Sequence, residues 1–234
     1  MQSDAGLLAR IAIGATFFVA LAIYDLVKNG RQAKRWREYS FLLLTIALAE
    51  IYGIVNDLIT SRISWEYFYY GKGLSQALGA HIPPNASALA WEAAKVGMKA
   101  SWTAGAIVGV ALLIANNPRA DRPQLLYRRL IALLPSILLI IIPVALGLGI
   151  AGYFGYLSWI SSDLQGIVRE NQFRPRWFLC VFGIHLGAYV GGAIGTAWAA
   201  WRITRDRRPD KSAKGSIDAP GPSSSYKTAP LNEL

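Results

Sequence analysis

Long apolar runs alternate with short polar segments along this chain, and the alternation predicts five membrane-spanning helices. The runs lie near residues 7–27, 39–60, 93–115, 130–153 and 177–201. Each holds the roughly 20 residues that cross a hydrocarbon core of about 30 Å at about 1.5 Å per residue. Runs of this length exclude the shorter strands of a membrane barrel. The expected fold is therefore all-α, a polytopic transmembrane helix bundle over residues 1–208. Residues 209–234, rich in Pro, Ser and Gly, read as a disordered cytoplasmic tail. No basic region precedes the first run and no convincing cleavage site follows it, so that run is expected to be a retained helix rather than a signal peptide. Pro135 and Pro143 fall inside the fourth run and are expected to kink it.

Composition agrees with this pattern. Of 234 residues, 53% are hydrophobic and only 16% are charged, against about 25% charged in a typical soluble domain. The net charge of +10 could suggest a polyanionic partner, but its distribution favours topology over nucleic-acid binding. Lys28, Arg31, Lys34, Arg35 and Arg37 follow the first run. Arg119, Arg122, Arg128 and Arg129 follow the third, and Arg202, Arg205, Arg207, Arg208, Lys211 and Lys214 follow the fifth. By the positive-inside rule these segments are cytoplasmic, with the N-terminus out and the C-terminus in. The expected location is the cell membrane, most simply a bacterial inner membrane. Trp65, Tyr67, Phe68, Tyr69 and Tyr70 then read as an outer interfacial aromatic belt. The single cysteine, Cys180, permits no intrachain disulfide.

Two patterns carry more local information. Gly183, Gly187, Gly191 and Gly195 recur every fourth residue in the fifth run, and Gly97, Ser101, Gly105 and Gly109 do so in the third. Small residues at this spacing let helix backbones approach closely in lipid, so both helices should pack tightly, with each other as one candidate pairing. The second pattern is ionisable. Glu50, Gly53, Asp57 and Thr60 share one side of the second run, and His185 and Tyr189 share a face of the fifth. Lys95 and Lys99 lie one turn apart in the third, after Glu92. Counted inward from the outer ends of the runs, Glu50, His185 and Lys99 reach similar depth, whereas Asp57, Glu66 and Glu92 lie shallower. An outer-leaflet cluster of Glu50, His185 and Lys99 is the expectation, with Asp57 and Tyr189 as further candidates for a ligand or ion.

Intramembrane charges of this kind face a bundle interior or cavity, where they pair, relay protons or bind ions. The leading reading is a small, non-catalytic integral membrane protein whose cluster stabilises the bundle or binds a small ligand or ion. An accessory subunit of a larger membrane complex, associating through its glycine-rich helices, is a second reading. A proton- or ion-coupled transporter is a third, although no inverted repeat or pair of broken helices is visible. A membrane metalloenzyme is a fourth. Glu50, Asp57, Glu66 and His185, with His81 in a loop, offer ligand types suited to iron, manganese or zinc. Neither Glu-x-x-His nor His-x-x-x-His occurs, no G-x-S-x-G elbow is present, and Cys180 has no obvious activating base, so catalysis has little support.

"IYGIVNDLITSRISWEYF" resembles a group of uncharacterised bacterial multi-pass membrane proteins that share Tyr-Gly-Ile, then Asp, Thr and Glu-Tyr-Phe. Here these are Tyr52, Gly53, Ile54, Asp57, Thr60, Glu66, Tyr67 and Phe68. "KASWTAGAIVG" and "HLGAYVGGAIG" are similar to later segments of that group. Asn56 stands where the group favours His, which argues against a metal site at that point. The resemblance implies a membrane fold and no mechanism.

Overall fold

A computed structural model describes residues 4–30, 33, 35–118, 122–159 and 174–207; at positions 4, 5, 7, 8, 10 and 11 it describes the backbone alone. Within them every regular element is helical: α1 (Asp4–Asn29), α2 (Arg35–Ile63), a π-turn (Tyr67–Gly71), α3 (Ser75–Leu78), α4 (Ala86–Ala115), α5 (Tyr127–Tyr153) and α6 (Pro175–Asp206). Five of these are long and apolar enough to cross a membrane. They have 26 to 32 residues, or about 39–48 Å at about 1.5 Å per residue, longer than the about 30 Å of a hydrocarbon core. The expected tail at 209–234 lies outside the described residues, as do residues 160–173.

The helices start and stop where local chemistry permits. α4 begins at Ala86, well before its apolar run, because Asn85 caps it: Asn85 Oδ1 accepts from the Ser87 and Ala88 amides at 3.0 and 3.1 Å. Pro175 occupies the first turn of α6, where a missing N–H costs nothing. α2 takes its cap from another helix. Buried Asp25 of α1 accepts from the Arg35 amide at 2.9 Å and from Asn29 Nδ2 at 2.7 Å. That contact ties α1 to the bundle, from which most of its apolar surface is otherwise turned away. Pro135 and Pro143 both sit inside the continuous helix α5.

Two glycine ladders organise the rest, each against a different partner. On α4, Gly97 meets Gly53 of α2 backbone to backbone, and a Cβ on Gly105 would lie 2.7 Å from the Ile46 Cα. On α6, Gly183 rests on the Leu148 carbonyl of α5, while Cβ atoms on Gly191 and Gly195 would lie 2.8 Å from the Ile141 Cα and 2.9 Å from the Ile137 Cγ2. Gly152 of α5 answers with its own close approach to the Leu179 carbonyl. Thus the ladders of the third and fifth spans do not pack on each other. They build two antiparallel pairs, α2/α4 and α5/α6, and contact between the pairs is much thinner. In lipid the hydrophobic effect does not drive helices together, so these close backbone contacts carry the association within each pair.

What joins the pairs differs along the bundle. Toward the end where α6 finishes, here called the Arg207 end, all four helices share an apolar core of Phe41, Leu112, Leu130, Leu134, Ile137, Ile141, Ala199 and Ile203. At the opposite, Glu66 end, Tyr67 and Phe68 of the π-turn pack with Leu89, Ala93, Phe178 and Val181. Between these cores lies the polar layer described next.

Candidate functional site

The polar layer begins with the segment after α2. Ser64, Glu66, Tyr67, Phe68 and Tyr69 are all buried, so this stretch is not an interfacial belt. The π-turn, closed by the Lys72 amide on the Tyr67 carbonyl at 3.0 Å, folds successive rings back over the bundle. Gly71 gives Phe178 room beneath it: a Cβ there would lie 3.1 Å from the Phe178 Cζ. Trp91, Trp159 and Trp177, by contrast, are exposed.

Glu66 is 1% exposed yet fully engaged. Its Oε2 accepts from Ser64 Oγ at 2.7 Å, and its Oε1 accepts from Arg174 Nε at 3.1 Å and from the Arg174 amide at 3.5 Å. The carboxylate therefore sits on the N-terminus of α6, where the helix dipole favours negative charge. This contact sets the level of α2 against α6. Counting inward, Asp57 lies nine residues from Glu66, and His185 lies eleven from Arg174. They meet: His185 Nε2 stands 3.6 Å from Asp57 Oδ1 and 3.4 Å from Thr60 Oγ1.

Thr60 Oγ1 donates to the Asn56 carbonyl at 2.8 Å, so toward His185 it offers a lone pair. With that bond made, the contact with Thr60 is a hydrogen bond in the tautomer that carries its hydrogen on Nε2. At 3.6 Å the approach to Asp57 is an electrostatic contact rather than a hydrogen bond; Asp57 Oδ1 accepts its hydrogen bond from Asn56 Nδ2 at 3.2 Å. Asp57 and His185 are 3% and 8% exposed. The Tyr67 ring stacks on the imidazole at 4.9 Å between centroids, and Phe68 meets it edge-on at 5.9 Å. Burial foremost, then the charges of Asp57 and Tyr189, pushes the Tyr67 phenol well above the ordinary tyrosine range. Lys72 Nζ lies 5.4 Å from the Tyr67 ring centroid and within electrostatic reach of both Asp57 and His185.

Among the remaining candidates, Glu50, Lys99 and His81 stand apart. Glu50 is half-buried and, among the described residues, makes no hydrogen bond or ion pair. It lies seven residues from Asp57, about 10 Å along the axis. Lys99 is likewise half-buried and unpaired among the described residues, whereas Lys95 pairs with Glu92 at 2.6 Å. Tyr189, one turn beyond His185 and 53% exposed, stays within electrostatic reach of Asp57 and Tyr67, whereas His81 is exposed in its loop. The expected Glu50–His185–Lys99 cluster is thus replaced by Asp57–His185–Thr60. Ends of apolar runs are poor depth markers here, because α2 and the turn after it stay buried beyond the apolar run. Among the described residues, no three His, Cys, Asp or Glu side chains are grouped to hold a metal ion, so Glu50, Asp57, Glu66 and His185 do not form one site.

A second polar junction lies at the Arg207 end. Buried Arg207 donates to four backbone carbonyls: from Nε to Pro123 at 3.0 Å, from Nη1 to Ala115 at 2.5 Å, and from Nη2 to Asn117 and Arg122 at 2.6 and 2.9 Å. It closes the C-terminus of α4, where a cation suits the helix dipole. Fully buried Asn116 braces the same connection, exchanging two hydrogen bonds with the Leu125 backbone at 2.9 and 3.1 Å. Sequence reasoning missed Arg174, Arg207 and Asp25 as structural partners. Arg207 stands in a basic run whose members look alike, and only the Pro following Arg174 hinted at a helix start.

Comparison with protein-family models, curated proteins and solved structures returns no match.

Proposed function

We propose that this chain is a small, non-catalytic integral membrane protein whose ionisable cluster fastens two glycine-packed helix pairs to each other. The observation that carries the reading is the Asp57–His185–Thr60 contact, which joins α2 to α6 where the pairs otherwise touch little. Each group there has a partner or a covering ring, which suits a fastener better than an open binding site. The protein lies in the cell membrane, in a bacterium the inner membrane, with the Arg207 end cytoplasmic and the Glu66 end outside. The basic residues Arg128, Arg129, Arg202 and Arg205 near the Arg207 end support this orientation.

A proton-relay reading has one observation in its favour: Lys72 lies over the Tyr67 ring, that ring stacks on His185, and His185 contacts Asp57. Purified Asp57→Asn and His185→Gln proteins decide between the two. The fastener reading expects lower thermal stability in detergent and no proton flux in proteoliposomes for the parent or either variant. Flux in the parent that either variant abolishes, at unchanged stability, would replace it with transport.

A further inference from the structure

We propose that the outward face of α4 receives a transmembrane helix of another protein, one that carries a carboxylate at the level of Lys99. Lys99 is half-buried and, among the described residues, makes no hydrogen bond, ion pair or ring contact. It lies thirteen residues into α4 from Ala86, about 20 Å at about 1.5 Å per residue. An ammonium so far along an apolar helix is costly in lipid and calls for a partner of opposite charge. The neighbouring side chains do not supply one. Gly97 and Ser101 both face Gly53 of α2. Lys99 stands two residues from each, about 200° around the helix, so it projects away from α2 and from Glu50. Its stem tilts back along α4 toward Lys95, a like charge that already holds Glu92 at 2.6 Å.

The surface beyond Lys99 has the shape of a helix seat. Thr103, Ala106, Ile107, Val110, Ala111 and Ile114 line an open apolar groove along α4. They continue from Lys99 in steps of three and four residues, the spacing at which one helix packs on another. Ile107 and Ile114, 63% and 69% exposed, stand as ridges beside the recesses at Ala106 and Ala111. Apolar surface alone would suit lipid tails. The ammonium at the end nearer Ala86 selects a helix with a carboxylate, because polar groups join membrane helices where the hydrophobic effect does not. The same face of a second copy does not serve: copies inserted with one topology would set Lys99 against Lys99. This face is separate from Asp57 and His185, which join α2 to α6.

The test places the full chain in liposomes with synthetic transmembrane peptides. It reads energy transfer from a labelled peptide to an acceptor on His81→Cys in a Cys180→Ser background. One peptide is a Leu/Ala helix with a single Glu at the depth of Lys99; a second has Gln there, and a third has its Glu two turns deeper. The first should bind on the order of tenfold more tightly than the other two, the upper range for one polar contact between membrane helices. Lys99→Gln should lose this preference, and Ile107→Trp, which fills the groove, should weaken all three. The thermal midpoint of the chain alone should be unchanged or raised in Lys99→Gln, since no internal pair is broken. A lowered midpoint would reveal a partner within the chain and overturn the proposal. Equal binding of the three peptides, or a preference that survives in Lys99→Gln, would also overturn it. Energy transfer between copies of the chain that excludes the peptides would give the groove to a second copy instead.

Discussion

The two ends of the bundle solve the same problem with different materials. At the Arg207 end a buried cation is held by four main-chain carbonyls that belong to a helix terminus and its loop. At the Glu66 end a buried anion is held largely by side chains, and its cation, Arg174, is 55% exposed. Main-chain acceptors cannot rotate away, and losing their donor leaves several orphaned carbonyls at once. A half-exposed arginine can be replaced by water. The Arg207 end is thus a fixed joint backed by an apolar core, while the Glu66 end is a clasp of side chains over a polar layer.

The largest effect that would break this comparison is at the fixed joint. Arg207→Ala should cost about 3–5 kcal/mol, the range for breaking a buried charged network, and deplete folded protein. Arg207→Lys, with one nitrogen in place of the planar fork, should recover only part of the thermal midpoint. Next comes the polar layer. His185→Ala, which removes the ring stacked on Tyr67 and leaves Asp57 with the Asn56 hydrogen bond and the more distant Lys72 charge, should cost about 2 kcal/mol in chemical denaturation. Smallest is the clasp: Arg174→Gln should cost about 1 kcal/mol and reduce the salt sensitivity of stability, since the 55% exposed Arg174 side of the pair is screened while Ser64 and the backbone amide of residue 174 stay on Glu66. If Arg174→Gln proved as damaging as Arg207→Ala, the two ends would not differ in kind.

A kinetic measurement sharpens the contrast. Thr60, 1% exposed beneath the lid, and Ala199, fully buried in the apolar core, can each be changed to cysteine in a Cys180→Ser background. Arg174→Gln should speed thiol labelling at position 60 and leave position 199 protected. Equal acceleration at both positions would mean global loosening rather than an opening clasp.

How much of this was legible in the sequence follows from range. Helix positions are local properties of apolar length, and each of the five long helices contains its run, α4 starting seven residues earlier at its Asn85 cap. Glycine spacing is also local, so tight packing could be read, but the partner of a ladder is a tertiary choice. α4 was free to pair with α6 by composition and pairs with α2. His185 stood out as an intramembrane imidazole, whereas its carboxylate was misassigned to Glu50. The level of α2 against α6 depends on Glu66 and Arg174, which lie 108 residues apart, and on a π-turn that no periodicity announces. The aromatic run after α2 shows the same limit: its composition suits a membrane interface, and its burial follows from the turn that folds it inward.

The central claim is that Asp57 and His185 act on each other across the two helix pairs. A double-mutant cycle with Asp57→Asn and His185→Gln, read as unfolding free energy in detergent, measures that interaction directly. The account predicts a coupling of about 1 kcal/mol, within the range of polar contacts between membrane helices. Additivity within about 0.3 kcal/mol, the behaviour of independent sites, would contradict it.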